Sequence, residues 1–303
     1  MSGDEGVQVP PEPAITGLTG LTGVRHGVTA PLPTAVGPLA VVEGDRSTDG
    51  TLFTEGVYEP QETALLRTLF APGMRVLDAG ANVGYFSLLA ARHIGPAGVV
   101  HAFEPEPVNF RVLRRNVTAS GYGNIETWAC ALSDRSGTQA LYLSRSNLGR
   151  HSFAFSNVPA TGAAVDVPTR TLDAFAADLL DDGPPILLKI DVEGAEGRVL
   201  DGAADLLARD AVTVWFELWP EGIANSGGDP DRLLRRLEGY GFHAALYDDV
   251  ALTPVLLSSV RRNLRRSWHD IRYLLLDRSP ERIVAAAEAV SAVDPLHREP
   301  KEN

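Results

Sequence analysis

Met74-Arg-Val-Leu-Asp78-Ala-Gly80-Ala-Asn82-Val-Gly84-Tyr-Phe-Ser87 is the stretch whose reading decides the fold. Residues 74–80 form a short apolar run closed by a glycine, which predicts a buried strand. Residues 84–94 carry apolar side chains at helical spacing. A strand that passes through two close glycines into a helix is a βα turn. Gly80 and Gly84 let the backbone turn sharply and approach a ligand closely. In an open α/β sheet that turn lies at the carboxyl ends of the strands, near the point where strand order reverses.

The same alternation continues on both sides. Residues 60–70 predict a helix with Pro60 in its first turn. Strands are expected at 99–105, 124–132, 138–143, 163–169, 185–194, 212–219, 243–248 and 271–277. Helices are expected at 107–120, 171–180 (capped by Thr171), 195–209 and 229–240 (opened by Asp229-Pro230). Strands alternating with helices imply βαβ units and a mostly parallel sheet. Two strands with no helix between them are expected to close the chain, which suggests an antiparallel pair at one edge. The fold expected is α/β and Rossmann-like: a mostly parallel seven-stranded sheet, helices on both faces, an antiparallel edge pair and a small N-terminal cap. Residues 1–13 read as a disordered tail, 14–70 as the cap or lid segment, 71–280 as the ligand-binding catalytic domain, and 281–303 as a C-terminal helix and loose tail.

Composition narrows the class. The net charge is −12, from 27 basic and 39 acidic residues, which favours solubility and argues against a nucleic-acid substrate. The single cysteine, Cys130, permits no internal disulfide and reads as a small buried hydrophobe. The N-terminus lacks the pattern of a signal peptide and no long apolar run exists, so the expectation is a cytoplasmic protein with no membrane partner. A homodimer is only the base-rate expectation.

The first glycine position of a dinucleotide fingerprint is occupied here by Asp78, giving D-x-G-x-x-x-G. A carboxylate there repels a pyrophosphate and suits the amino group and sulfonium of S-adenosylmethionine; the alternative is a βα turn with no ligand. Glu104 ends the second strand, 20 residues after Gly84, where an acid accepts hydrogen bonds from ribose hydroxyls. Ser133 and Asp134 follow the third strand and border the expected adenine position, although Ser-Asp is also ordinary turn chemistry.

Lys189-Ile-Asp191-Val-Glu193-Gly194-Ala-Glu196 ends the fourth strand at the same edge. Asp191 is a candidate general base for an acceptor hydroxyl, with Glu193 beside it. The competing reading makes both acids caps of the next helix. Lys189 reads as an inward residue paired with one of these carboxylates. Glu217 ends the fifth strand between Trp215 and Trp219 and is a further catalytic candidate that can join Asp191 at the same edge; the two tryptophans are read as core or rim. His151 lies in an irregular loop and is either a base or a surface histidine. No metal-ligand spacing is present, and no metal is expected.

These blocks resemble the FkbM-type family of S-adenosylmethionine-dependent methyltransferases. The resemblance covers residues 52–250 and rests on Glu55-Gly-Val-Tyr58-Glu59-Pro, Val76–Gly84, Phe103-Glu-Pro105, Ala131–Asp134, Asn147-Leu-Gly149, Thr171-Leu-Asp173 and Leu188–Glu196. It implies a class I methyltransferase fold and O-methylation of a small-molecule hydroxyl acceptor, a sugar or a natural-product intermediate. It implies that Asp78, Gly80, Asn82 and Gly84 cradle the methionine half, Glu104 the ribose and Ser133 or Asp134 the adenine. It also implies that Tyr58 and Glu59 close over the cofactor, and that the run from Lys189 floors the acceptor site. The flanks before residue 50 and after 250 match no pattern of the family. Rival readings are an N-methyltransferase, an NAD-dependent oxidoreductase and a non-enzymatic scaffold that kept the fold.

Overall fold

The computed structural model describes residues 18–19, 25–45, 50–145, 147–158, 163–179, 183–248 and 251–292. The expected tail at 1–13 and the end of the expected 281–303 segment, residues 293–303, lie outside them. The N-terminal segment holds two antiparallel pairs, β1 (Leu18–Thr19) with β2 (Arg25–His26) and β3 (Leu32–Thr34) with β4 (Gly37–Leu39). Two helices follow, α1 (Gly50–Glu55) and α2 (Pro60–Leu69). The next elements are β5 (Arg75–Ala79), α3 (Tyr85–Ile94), β6 (Val99–Phe103), α4 (Pro107–Ser120) and β7 (Ile125–Trp128). A small sheet comes from β8 (Ala131–Leu132), β9 (Gly137–Leu143) and β10 (Ala163–Arg170). Then come α5 (Leu172–Leu179), β11 (Ile186–Ile190), α6 (Glu196–Asp201), α7 (Ala204–Leu207) and β12 (Val212–Leu218). The chain ends with α8 (Pro220–Asn225), α9 (Pro230–Gly239), β13 (His243–Tyr247), β14 (Leu252–Val255), α10 (Leu257–Asn263), β15 (Arg272–Asp277) and α11 (Pro280–Ser291).

The large sheet has the order β14-β13-β15-β12-β11-β5-β6-β7. Strands β12, β11, β5, β6 and β7 pair in parallel, and β15 pairs antiparallel with β12 and β13. This is the Rossmann-like sheet the alternation implies, with order reversing between β5 and β11. Each central strand is buried on both sides. Leu77, Leu188, Ile190, Val214 and Phe216 pack under α5 to α9. Val76, Val100, Leu187 and Trp215 face the other way, toward α2, α3 and α11. Burying each such side chain contributes about 1.5–3 kcal/mol.

The N-terminal segment is part of this packing. Val36, Leu39 and Val41 share a core cluster with α2 and α3. Asn116 on α4 accepts from the Ala40 N–H and donates to the Ala40 and Val83 carbonyls, all at 2.8 Å.

Several elements differ from expectation. The strand expected at 124–132 is two, because β8 leaves the large sheet to pair with β10. The helix expected at 195–209 breaks after Asp201: a Cβ on Gly202 would lie 2.1 Å from the Ser133 carbonyl, so a crossing chain demands glycine there. A helix, α10, does separate the last strand pair. An eighth strand, β14, adds to the seven expected and occupies the edge, the place where its Pro254 is tolerated.

Candidate active site

The register of the central strands lines up one row of residues at the carboxyl edge. Tyr273 pairs with Glu217 directly. Ile190 pairs with both Phe216 and Ala79, and Ala79 with Phe103. One residue further along, Glu217, Asp191, Gly80 and Glu104 therefore stand side by side at the strand spacing of about 4.8 Å. Backbone bonds hold the row: Asp191 N–H to Ala79 O at 3.1 Å, Gly80 N–H to Phe103 O at 3.0 Å and Glu104 N–H to Trp128 O at 3.1 Å. A side chain at position 80 is excluded, since its Cβ would sit 1.9 Å from the Asp191 carbonyl and φ there is +83°. The gap in the row is thus built into the sequence by glycine.

A cavity of about 390 Å³ lies over this row. That is within the usual range for a small-molecule site. Its β6 end is bordered by Phe103, Glu104, Ala131, Leu132 and Leu141, and its β15 end by Glu217, Ile271 and Tyr273. Three residues without glycine's freedom have left-handed backbones among the described residues, Glu59 (φ 43°), Asn82 (φ 49°) and Glu193 (φ 54°). All three line the cavity. Such strain persists only where the surroundings enforce it, and functional sites collect it.

Glu104 accepts from the Asn82 N–H at 2.9 Å and the Glu106 N–H at 2.8 Å. Burial nevertheless pushes its carboxyl up to about 8. Asn82 keeps its Oδ1 buried with no hydrogen-bond partner. Tyr58 lines the cavity from the segment before α2 and meets the rings of Tyr85 and Phe86 edge-on at 5.7 and 5.9 Å.

Two of the motif's residues work from behind the cavity wall. Asp78 is 1% exposed and does not line the cavity. It accepts from Ser87 Oγ at 2.6 Å and lies 3.6 Å from Lys189 Nζ, so it tethers the first turn of α3 and compensates a buried cation. Gly84 caps α3 and lets it pack on α4, where a Cβ would lie 2.6 Å from Leu113 Cδ1. Ser133 and Asp134 also stand off the cavity. Ser133 is fully buried with its hydroxyl on Asp134, because β8 has turned into the small sheet. The apolar residues just before them, Ala131 and Leu132, form the wall instead.

The Lys189-to-Glu196 run divides its labour. Lys189 Nζ lies 3.6 Å from Asp191 Oδ2 and 4.9 Å from the Phe86 ring centre. Burial opposes its charge, but Asp191, Asp78 and Glu62 together raise it well above the ordinary lysine range. Glu196, not Asp191 or Glu193, caps the turn, accepting from the N–H groups of Val192 and Gly194 at 3.1 and 3.0 Å. Burial holds the Glu196 carboxyl up at about 7. Asp191 and Glu193 are left to face the cavity. Burial and then the Asp191 charge raise Glu193 to about 8, against the pull of Arg150.

The Glu193 turn is held from the other side by residues that sequence reasoning missed. Ser152 Oγ donates to the Glu193 carbonyl at 2.7 Å. Asn157 Nδ2 reaches the same carbonyl at 3.2 Å and Gly222 O at 3.1 Å, while Asn225 donates to Asn157 Oδ1 at 2.9 Å. Nothing in the spacing of these residues signals the link, which joins positions 36 and more residues apart.

His151 lines the cavity and takes the Ser144 N–H on Nδ1 at 3.0 Å. A neutral ring accepting there carries its proton on Nε2. The neighbouring Leu148 is clamped by Asp45 Oδ1 on its N–H (2.7 Å) and by Asn109 Nδ2 on its carbonyl (2.9 Å). Cys130 lies off the cavity, and burial pushes its thiol up to about 11. Trp215 is core, stacked on Tyr273 at 5.2 Å. No helix among the described residues is long and apolar enough to cross a membrane, and none of their acidic, His or Cys side chains group as a metal site.

A family profile described as the methyltransferase FkbM domain matches residues 78–244, more than half of the chain and all of the row described above except Tyr273. The chain belongs to that family. Among its FkbM relatives, the 31-O-demethyl-FK506 methyltransferase FkbM of Streptomyces tacrolimicus is 35% identical over 162 residues, covering 44% of this chain and 61% of that protein. Methyltransferase sdnD of Sordaria araneosa is 31% identical over 176 residues, covering 49% and 68%. The chain thus spans only about three fifths to two thirds of these relatives' length. A solved FkbM methyltransferase from Methylobacillus flagellatus KT superposes with a TM-score of 0.39 at 16% identity, covering 66% of this chain and 43% of that one.

Proposed function

We propose that this FkbM-family chain is a methyltransferase whose cofactor is S-adenosylmethionine and whose acceptor is a hydroxyl on a small molecule, of the sugar or polyketide type. The observation that carries the proposal is the row itself: an acid for a ribose at one end, a glycine gap, and acids for an acceptor beyond it. The residues fit a cofactor of this charge. Glu59 and Asp191 border the cavity and Asp78 lies behind its wall, against Lys189 and Arg150, and Lys189 is already matched by two carboxylates. A field of that sign favours a sulfonium and an amino group over a pyrophosphate. Asn82 Oδ1, buried and unpartnered, is an acceptor awaiting a donor.

The name of the Streptomyces tacrolimicus relative specifies an O-demethyl acceptor, which supports oxygen as the atom methylated. S-adenosylmethionine, when bound, supplies an activated methyl group. The chain's residues do the rest. Glu104 receives ribose hydroxyls, while Asn82 and Glu106 fix its carboxyl by their backbone N–H groups. Ala131, Leu132 and Phe103 give the adenine an apolar wall. Asp191, next in the row beyond the gap, takes the proton of the acceptor hydroxyl, and Lys189 at 3.6 Å holds that carboxylate in place. Tyr58 and the clamped loop around Leu148 exclude water. Orientation of acceptor against methyl supplies most of the acceleration.

Calorimetry with S-adenosylmethionine and with NAD⁺ tests this, using wild type and Glu104→Ala. Micromolar binding of the first ligand, lost in the variant, is the expected result. Binding of NAD⁺ in its place would sink the reading.

A further inference from the structure

Glu217 is the one acid of the row to which the chemistry above gives no step of its own. It is 5% exposed, it lines the β15 end of the cavity, and its Oε2 is buried with no hydrogen-bond partner. The charged groups facing it are mainly acids. Asp191, Glu193 and Glu196 come from the turn after β11, and Glu62 from α2. Tyr273, its partner on β15, gives its hydroxyl to Glu62. Lys189 stands between Asp78 and Asp191. An ionised carboxylate needs donors on its lone pairs, and none reaches Oε2. A carboxylic acid needs only one acceptor for its O–H.

We propose that Glu217, as the neutral acid, forms a donor subsite that takes an uncharged oxygen of the acceptor, one strand away from the hydroxyl that faces Asp191. Burial, then Asp191, Glu193, Glu196 and Glu62, raise its carboxyl well above the ordinary range, consistent with the protonated form. The Asp191 carboxylate, next to Glu217 in the row, repels an anion, so the acceptor carries a second, uncharged oxygen near the reacting carbon. A carboxylate or phosphate at that position is excluded. The inference rests on the methyl-transfer reading for the identity of the acceptor, but the state of Glu217 does not depend on it.

The test uses full-length protein labelled with ¹³C at the glutamate carboxyls and saturated with S-adenosylhomocysteine. The Glu217 resonance is assigned by its loss in Glu217→Gln. The expected result is a protonated-carboxyl shift at neutral pH that moves on titration with ethylene glycol and stays put with acetate. A carboxylate shift at neutral pH, no response to the diol, or a response to acetate alone would each overturn the proposal. A protein that does not bind S-adenosylhomocysteine refutes the cofactor reading separately, and the Glu217 shift and its diol response are then read on the free protein. With an acceptor in hand, Glu217→Leu should raise its KM more than tenfold at unchanged cofactor affinity. Glu217→Gln, which keeps a donor, should recover most of that loss; equal loss in both variants would mean that the position needs charge.

Discussion

The Lys189 ammonium lies 3.6 Å from the Asp78 carboxylate, with both side chains almost wholly out of water. Lys189→Met leaves Asp78 buried without its cation. Breaking a buried pair by removing one partner costs about 3–5 kcal/mol. The loss should appear in urea unfolding, and Lys189→Met combined with Asp78→Asn should regain part of it. If the single variant unfolds like wild type, the pair contributes nothing.

Stability should fall as pH rises. Glu104 and Glu193 are held at about 8 and Glu196 at about 7 in the folded chain, chiefly by burial. The unfolded chain loses those protons near the ordinary glutamate value of about 4.3. Their folded-state values are raised, so the stabilisation is full below about 4.3 and is lost progressively up to about 8. Urea midpoints at constant slope should therefore decline from pH 5.5 to 8, and a midpoint that climbs over this range would contradict the assignment.

Cofactor binding should release protons at pH 7. Ribose hydroxyls donated to Glu104, and a cation beside Glu193, both favour the ionised carboxylates. Calorimetric enthalpies in buffers of different ionisation heat read this out directly. Glu104→Gln should abolish much of the release and weaken binding by about 1.5–3 kcal/mol, the worth of hydrogen bonds to a charged group. Net proton uptake by the wild type would reverse the argument.

Asn157 should act through Glu193. Asn157→Ala frees the Glu193 carbonyl and the Gly222 carbonyl of one shared donor, at a cost of about 1–3 kcal/mol. The acceptor KM should rise and the Glu193-dependent limb of the pH profile should move, while cofactor affinity holds. A purely structural asparagine would lower stability and leave the pH profile where it was.

Much of this was legible in local pattern. The strand, glycine turn and helix around Gly80 and Gly84, the acid at Glu104 and the Lys189–Glu196 run all sit where spacing places them, because strand and helix periodicities are written in neighbouring residues. Elements with mixed or brief signals were not legible. The edge strand Leu252–Val255 carries a proline, and Gly202 breaks a helix only because another chain segment crosses it.

The sequence by itself determined the parallel sheet, the glycine gap and the acids along its carboxyl edge. Tertiary structure alone decided what each acid does. It turned Asp78 inward to Lys189, gave the capping role to Glu196, and removed Ser133 and Asp134 from the cavity wall. It tied His151 Nδ1 to the Ser144 N–H and locked Glu193 through Ser152 and Asn157. The physical reason is that a carboxylate's or imidazole's role depends on burial, partner and field, and these come from residues distant in the chain that only packing brings together.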